Sequence, residues 1–268
     1  MQRWMTAAMA LVATIFCGPA QAASCGGEFS AWLSAFRREA GGQGVGARAL
    51  AALDGLSPNQ EVLRLDRAQG HFKLSFEQFV ARRVTPQRIQ SGAQRLAQHR
   101  ALLDRIQRQF GVQPEIVVAI WGMETDFGAN QGRQPVLRAL VTLAHDCRRT
   151  EMFQRELMAA LRLIDRGDLS AGEMRGAWAG ELGQTQFLPS SYLKFAVDFD
   201  GNGRRDLIRS VPDALGSTAN YLRGYGWKAN ASYAEGGANF PVLKEWNRAS
   251  VYQRALALYA QRLTEARR

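Results

Sequence analysis

Glu124 lies in the segment Val117-Val118-Ala119-Ile120-Trp121-Gly122-Met123-Glu124-Thr125-Asp126-Phe127-Gly128. On a helix, Val117, Ile120 and Trp121 precede it by seven, four and three residues and share its face. Its carboxyl is thus in line with an apolar stripe, where burial disfavours the charged form and raises the pKa. An acid still protonated near neutral pH is what protonating a glycosidic oxygen requires. The segment alone leaves an alternative open, a glutamate paired with an arginine or sitting at a helix end.

A second constellation runs Trp178-Ala179-Gly180-Glu181-Leu182-Gly183-Gln184-Thr185-Gln186-Phe187-Leu188-Pro189-Ser190-Ser191-Tyr192. It is too glycine-rich and polar for an ordinary core helix, and glycine permits close backbone approach. Gln184, Gln186, Ser190 and Tyr192 supply the neutral donors and acceptors that hold a sugar, while Phe187 and Tyr192 can stack on its faces. A plain loop followed by a Pro-started helix is the competing reading. A third motif, Asp198-x-Asp200-x-Asn202-Gly203-Arg204-x-Asp206, matches the first nine positions of an EF-hand loop. Arg209 stands at position twelve, where a bidentate Glu is usual, which departs from an ordinary EF-hand.

In order and spacing, these residues resemble the periplasmic lytic murein transglycosylases of the B type. The likeness covers Glu-Thr-x-x-Gly at Glu124–Gly128 and Gly-x-x-Gln-Phe-x-Pro-Ser-Ser-Tyr at Gly183–Tyr192. It continues through Ala196–Gly203 and Asp213–Tyr221, and extends from about residue 28 to the C-terminus. The resemblance implies a lysozyme-like fold and cleavage of the β-1,4 bond between N-acetylmuramic acid and N-acetylglucosamine, giving a 1,6-anhydromuramyl end. It implies that Glu124 is the lone acid/base, serving first the leaving oxygen and then the muramyl C6 hydroxyl.

The resemblance places Gln186 near the scissile bond, Tyr221 in the cleft, and Asn247 and Tyr252 facing Glu124. Arg148 and Arg149 match an arginine pair on the glycan–peptide strand, and the arginine fork suits peptide carboxylates. Core packing for the tyrosines and a solvated face for the arginines remain open. Asp213 matches a later carboxylate that would complete a structural Ca²⁺ site with Asp198, Asp200, Asn202, Arg204 and Asp206, although the segment before it is one residue longer. An ion-free turn is the alternative. Two departures are Asp126-Phe127, where some relatives have Arg-Trp, and Ala177, where some have a small hydroxyl residue. Most glycosidases use two carboxylates. No second one suggests itself here, since Asp126 follows Glu124 by only two residues and points away on a helix.

The elements that must position these groups read as mainly α, with few and short strands. Glu28–Ala40 is amphipathic through Phe29, Trp32, Leu33 and Phe36, and Gly41–Gly44 ends it. Gly44–Ala49 loosely matches a dinucleotide fingerprint, but no strand precedes it, so it reads as a loop entering a helix. Residues 59–83 read as a partly extended crossing segment with Phe72, Phe76 and Phe79. Thr85-Pro86 opens a helix running to about Phe110, closed by Gly111. The glutamate helix spans 114–127, the sugar-binding loop 178–192 and the calcium-like loop 198–213. Further helices are expected at 135–145, 150–166, 170–176 and 248–266.

The chain has 268 residues, 46% of them hydrophobic and 22% charged, which is ordinary for a globular protein. Residues 1–22 differ. Arg3, the apolar run Met5–Cys17 and Ala20-Gln21-Ala22 read as a cleavable signal peptide, leaving 23–268 as the mature domain. An uncleaved anchor is the alternative. Phe16 before Cys17 argues against a lipoprotein signal. The expectation is a soluble periplasmic protein, a monomer, with no stable membrane insertion. Cys25 and Cys147 remain and could form one disulfide. The three histidines, His71, His99 and His145, lack zinc spacing.

The net charge of +10 favours an anionic polymer. For an exported protein this points to peptidoglycan glycan strands rather than nucleic acid, with other cell-wall enzymes as possible partners. No cofactor is expected for catalysis. Two other functions stay open. One is a muramidase that uses water, for which a second carboxylate would be the sign. The other is a non-catalytic cell-wall-binding protein.

Overall fold

The computed structural model describes residues 24–68 and 74–266. The expected signal peptide at 1–22, with Cys17, and His71 and Phe72 lie outside the described residues. The architecture is α-helical with one two-stranded antiparallel ribbon, as the sequence predicts. No helix among the described residues is long and apolar enough to cross a membrane.

Helix α7 (Pro114–Thr125) is the axis of the molecule: Ile116 through Met123 are buried on every side. A helix that is apolar all round belongs inside a core. It starts at Pro114, whose missing N–H costs nothing at a first turn, and the chain before it turns at Gly111 in the left-handed region. Packed around it are α5 (Pro86–Gln98), α6 (Arg100–Phe110), α11 (Val211–Gly224) and α13 (Ser250–Ala266). A second pair, α8 (Val136–His145) and α9 (Thr150–Arg166), packs beside α10 (Pro189–Phe195). The N-terminal helices α1 (Phe29–Gly42), α2 (Ala47–Ala51) and α3 (Gln60–Ala68) lie against α8 and α9.

Three sequence expectations are corrected. The described residues of the segment 59–83 are mainly helical rather than extended: they hold α3 and α4 (Phe76–Arg83), the latter opened by a reciprocal capping box between Ser75 and Gln78. The expected single helix from Thr85 to Phe110 divides into α5 and α6 at His99, whose backbone leaves helical geometry. The break sets the His99 ring edge-on to Trp121, 5.6 Å between centroids. Residues 170–176 are not a helix but a turn and a strand. Strand β1 (Gln134–Pro135) pairs antiparallel with β2 (Arg175–Gly176). A Cβ on Gly176 would stand 1.9 Å from the Glu181 carbonyl oxygen, so the backbone approach there requires glycine.

Cys25 and Cys147 form a disulfide that ties the segment before α1 to the chain just after α8. The neighbouring N–H of Gly26 reinforces the tie, donating to the His145 carbonyl at 2.9 Å.

Candidate active site

Glu124 is the penultimate residue of α7. The helix stops because Asp126 and Phe127 both take positive φ, 50° and 61°, an unfavourable conformation for either. Surrounding contacts hold it. Arg88 donates to Asp126 at 2.8 Å, Phe127 packs at 90° on Trp121, and Gly128 N–H donates to the Thr125 hydroxyl at 2.8 Å. The two positions that depart from some relatives thus form the helix stop.

The glycine-rich loop is fastened to this helix end. Trp121 donates to Gln184 Oε1 at 3.0 Å and the Thr125 hydroxyl donates to the Gln184 carbonyl. Leu182 and Phe187 exchange backbone hydrogen bonds at 2.8 Å, which folds the loop into a tight hairpin. On its far side the Thr185 and Thr218 hydroxyls meet at 3.0 Å, in the core. The cleft between loop and helix has a volume of about 290 Å³. Phe187, Tyr221 and Trp246 wall it, set edge to face at 5.0–5.7 Å. Trp246 ends α12 (Leu243–Trp246). Such rings offer faces to sugars while packing on one another.

Glu124 reaches this cleft with its carboxyl fixed. Trp246 donates to Oε1 at 3.0 Å, and the Tyr252 hydroxyl donates to the same oxygen. Burial raises the pKa of Glu124, against the opposing pull of those two donors and of the Arg83 guanidinium. Arg83 itself donates to the Met123 carbonyl, and its Nε is buried without a partner. Glu124 is therefore an acid whose proton is favoured by its surroundings, yet whose anion already has two donors.

Of the residues singled out from sequence, Gln186, Tyr221 and Asn247 line the cleft with Glu124, and Tyr252 touches it. Gln186 takes a positive φ of 55°, and its amide nitrogen donates to the carbonyls of Gln131 and Gly183 at 3.1 and 2.9 Å. Tyr221 donates to the Glu245 carbonyl, and Asn247 Oδ1 accepts from Ala249 N–H at 3.0 Å.

Ser190 and Tyr192 are corrected. Tyr192 is fully buried: its hydroxyl donates to the Arg205 carbonyl at 2.6 Å and accepts from Leu207 N–H at 3.2 Å. Ser190 turns to Glu156, its hydroxyl donating at 2.7 Å, outside the cleft. Because α10 begins at Pro189, helical spacing gives the cleft face to Leu188 and Ser191. Arg148 and Arg149 do not line the cleft either; both pair with the buried carboxylate of Asp66.

In the calcium-like loop, Asp198, Asp200 and Asp213 bring one carboxylate oxygen each within 4.8 Å of one another. Asp206 is not among them. Its carboxylate binds Arg209 at 2.7 Å and caps the Ile208 and Arg209 N–H groups, so the arginine at position twelve diverts the ligand at position nine. Asn202 Oδ1 accepts from Arg204 N–H at 2.9 Å. The arginines nearby pair with other acids, Arg205 with Asp168 and Arg204 and Arg209 with Glu173. Among the described residues no cation neutralises the three clustered carboxylates, and their hard oxygens suit Ca²⁺.

Sequence reasoning missed six cleft residues: Trp178, Glu181, Leu188, Ser191, Glu245 and Trp246. Besides Glu124 two further carboxyls line the cleft, Glu245 and Glu181, and the sequence did not suggest Glu181. It stood inside the sugar-suited loop, but it is far from Glu124 in sequence, and only the fold joins them. Trp246 had a signal, a large aromatic beside Asn247 in an otherwise polar stretch.

The family described as a transglycosylase SLT domain matches residues 28–236. The membrane-bound lytic murein transglycosylase B of Escherichia coli (strain K12) is 40% identical over 145 residues, 54% of this chain. That match spans only 40% of the relative's length. The fold is shared with SltB3 from Pseudomonas aeruginosa in complex with NAG-NAM-pentapeptide: TM-score 0.84, 31% identity, 91% of this chain and 81% of that one. It is also shared with the Escherichia coli lytic transglycosylase SLT35 in complex with calcium: TM-score 0.79, 25% identity, 91% and 97% covered.

Proposed function

The chain belongs to the SLT transglycosylase family, among the B-type lytic murein transglycosylases, and from that membership we propose that it is a lyase acting on peptidoglycan. It breaks the β-1,4 bond between N-acetylmuramic acid and N-acetylglucosamine and leaves a 1,6-anhydromuramyl end. The observation that carries the reading is the carboxyl of Glu124, raised by burial and held by two donors in a cleft walled with aromatic rings.

In this reaction protonated Glu124 gives its proton to the departing glycosidic oxygen. The resulting carboxylate is received by Tyr252 and Trp246, already bonded to Oε1, and by the charge of Arg83. It then takes the proton of the muramyl C6 hydroxyl as that oxygen attacks C1, so Glu124 ends protonated and no water is added. The muramyl acetamide assists from the substrate side. Phe187, Tyr221 and Trp246 stack on the sugars, while Gln186 and Asn247 orient their polar groups. Arg148 and Arg149 serve a peptide carboxylate only through the N–H groups that Asp66 leaves to them. The family's reaction needs no cofactor. Export to the periplasm goes with this substrate and with the signal-like residues 1–22.

Mass spectrometry of muropeptides released from purified sacculi tests the reading. Wild type gives anhydromuramyl products, and Glu124→Gln lowers their release by about 10²–10⁴-fold, the usual weight of a general acid. Glu181 favours a second reading, hydrolysis by water, because a further carboxyl lines the cleft. Reducing-end products from wild type would establish that one instead. Sacculus binding without release would make the chain a binding protein.

The three clustered carboxylates fit a structural Ca²⁺ held by Asp198, Asp200 and Asp213, with no part in the chemistry. Millimolar Ca²⁺ raises the melting temperature of wild type by a few degrees, and Asp200→Asn removes the effect. Equal melting with Ca²⁺ and with chelator would rule the ion out.

A further inference from the structure

Two charged cleft residues, Glu245 and Glu181, have no use in the reaction above, and Glu181 is the one that stands on the glycine-rich loop. Its backbone has little freedom. The Glu181 carbonyl accepts from Ala177 N–H at 3.0 Å, and the next residue, Leu182, is tied to Phe187. Gly180, just before it, holds a φ of 94°, and a Cβ there would meet Leu140 at 2.5 Å. The side chain is thus presented to the cleft from a rigid hairpin. Its Oε2 is shut away from solvent without a hydrogen-bond partner, while the residue lines the same cleft as Glu124. An unpartnered buried carboxyl oxygen is costly unless something else uses the group.

We propose that Glu181 is a positioning residue of the reaction: from its fixed place in the cleft that it shares with Glu124, its unpartnered carboxyl opposes negative charge on Glu124. The proposal rests on the lytic reading of the cleft. Burial raises the pKa of Glu181, and the Glu124 charge raises it further, against the N–H groups of Glu181 and Ala179 and the Arg149 guanidinium. Around Glu124 the opposing groups are Tyr252, Trp246 and Arg83, with Tyr221 and Glu245 on the cleft wall. Repulsion between two acids is mutual and belongs to the pair: the first proton leaves normally and the second is retained to higher pH.

The test titrates side-chain carboxyls by NMR in protein ¹³C-labelled at glutamate, and needs no substrate. Wild type shows two coupled transitions. Glu124→Gln and Glu181→Gln each leave one, and each lies about one pH unit or more below the upper transition of wild type. A Glu181 transition unmoved by Glu124→Gln overturns the proposal, and this arm stands even where Glu181→Gln fails to fold. The second arm is the pH profile of muropeptide release. Glu181→Gln moves its basic limb to lower pH by the same interval, whereas a merely structural role would lower the rate at every pH and leave the limb in place. Should wild type release nothing, the lytic reading fails, while the NMR arm still decides the coupling.

Discussion

Tyr252 and Trp246 both donate to Oε1 of Glu124, so they favour the anion that exists after the proton has gone, while burial favours the acid before it. A group serving first as acid and then as base needs both influences at once. Tyr252→Phe removes one donor. The Tyr252 bond lowers the Glu124 pKa, so its loss raises that pKa, and the basic limb of the activity profile moves to higher pH. The rate at the optimum falls by about 10- to 100-fold, the equivalent of a hydrogen bond to a charged group. An unmoved limb would show that the hydroxyl does not reach Glu124 in solution. Glu124 could be read from sequence because its apolar helical face lies within one short segment. Tyr252 and Asn247 came only by resemblance, and Glu181 did not come at all, since nothing local links it to a residue 57 positions away.

At the scale of elements, the decisive detail is the register of α10. Starting the helix at Pro189 turns Tyr192 into the core and leaves Leu188 and Ser191 at the cleft. The Tyr192 hydroxyl then bridges Arg205 and Leu207 and fastens the sugar-suited loop to the calcium-like loop. Tyr192→Phe should cost about 1–3 kcal/mol of stability, measured by denaturant unfolding, because a buried N–H and a buried carbonyl lose their partner. The optimum rate of the folded enzyme should hold; a fall in rate without a fall in stability would return Tyr192 to the substrate. Residue types alone could not settle this, since a tyrosine that binds sugar and one that anchors a loop look alike. Helices with their own start signals were legible, α5 from Thr85-Pro86 and α7 from Pro114. The break at His99 was not, because no Gly or Pro marks it and tertiary packing on Trp121 decides it. The strand at Arg175–Gly176 was equally hidden, its pairing partner lying about forty residues earlier.

At the scale of the molecule, one covalent link joins distant parts of the chain. Reduction of Cys25–Cys147, or Cys147→Ser, should lower stability by about 2–5 kcal/mol, read from melting with and without reductant. Equal melting would mean that the bridge adds nothing to the packing of α1 on α8. The pair was predictable from the count of cysteines left once the signal-like residues 1–22 are set aside, though its geometry was not. The bridge also divides the sequence into a closed ring, residues 25–147, and an open tail. Glu124 belongs to the ring, whereas Glu181, Trp246 and Tyr252 all come from the tail. The ring can therefore build the acid but cannot hold it. On the proposed lytic reading, catalytic competence arises only when the tail has laid its loop and last helices across the ring, so activity would report completion of the whole fold and no half of the chain would carry it alone.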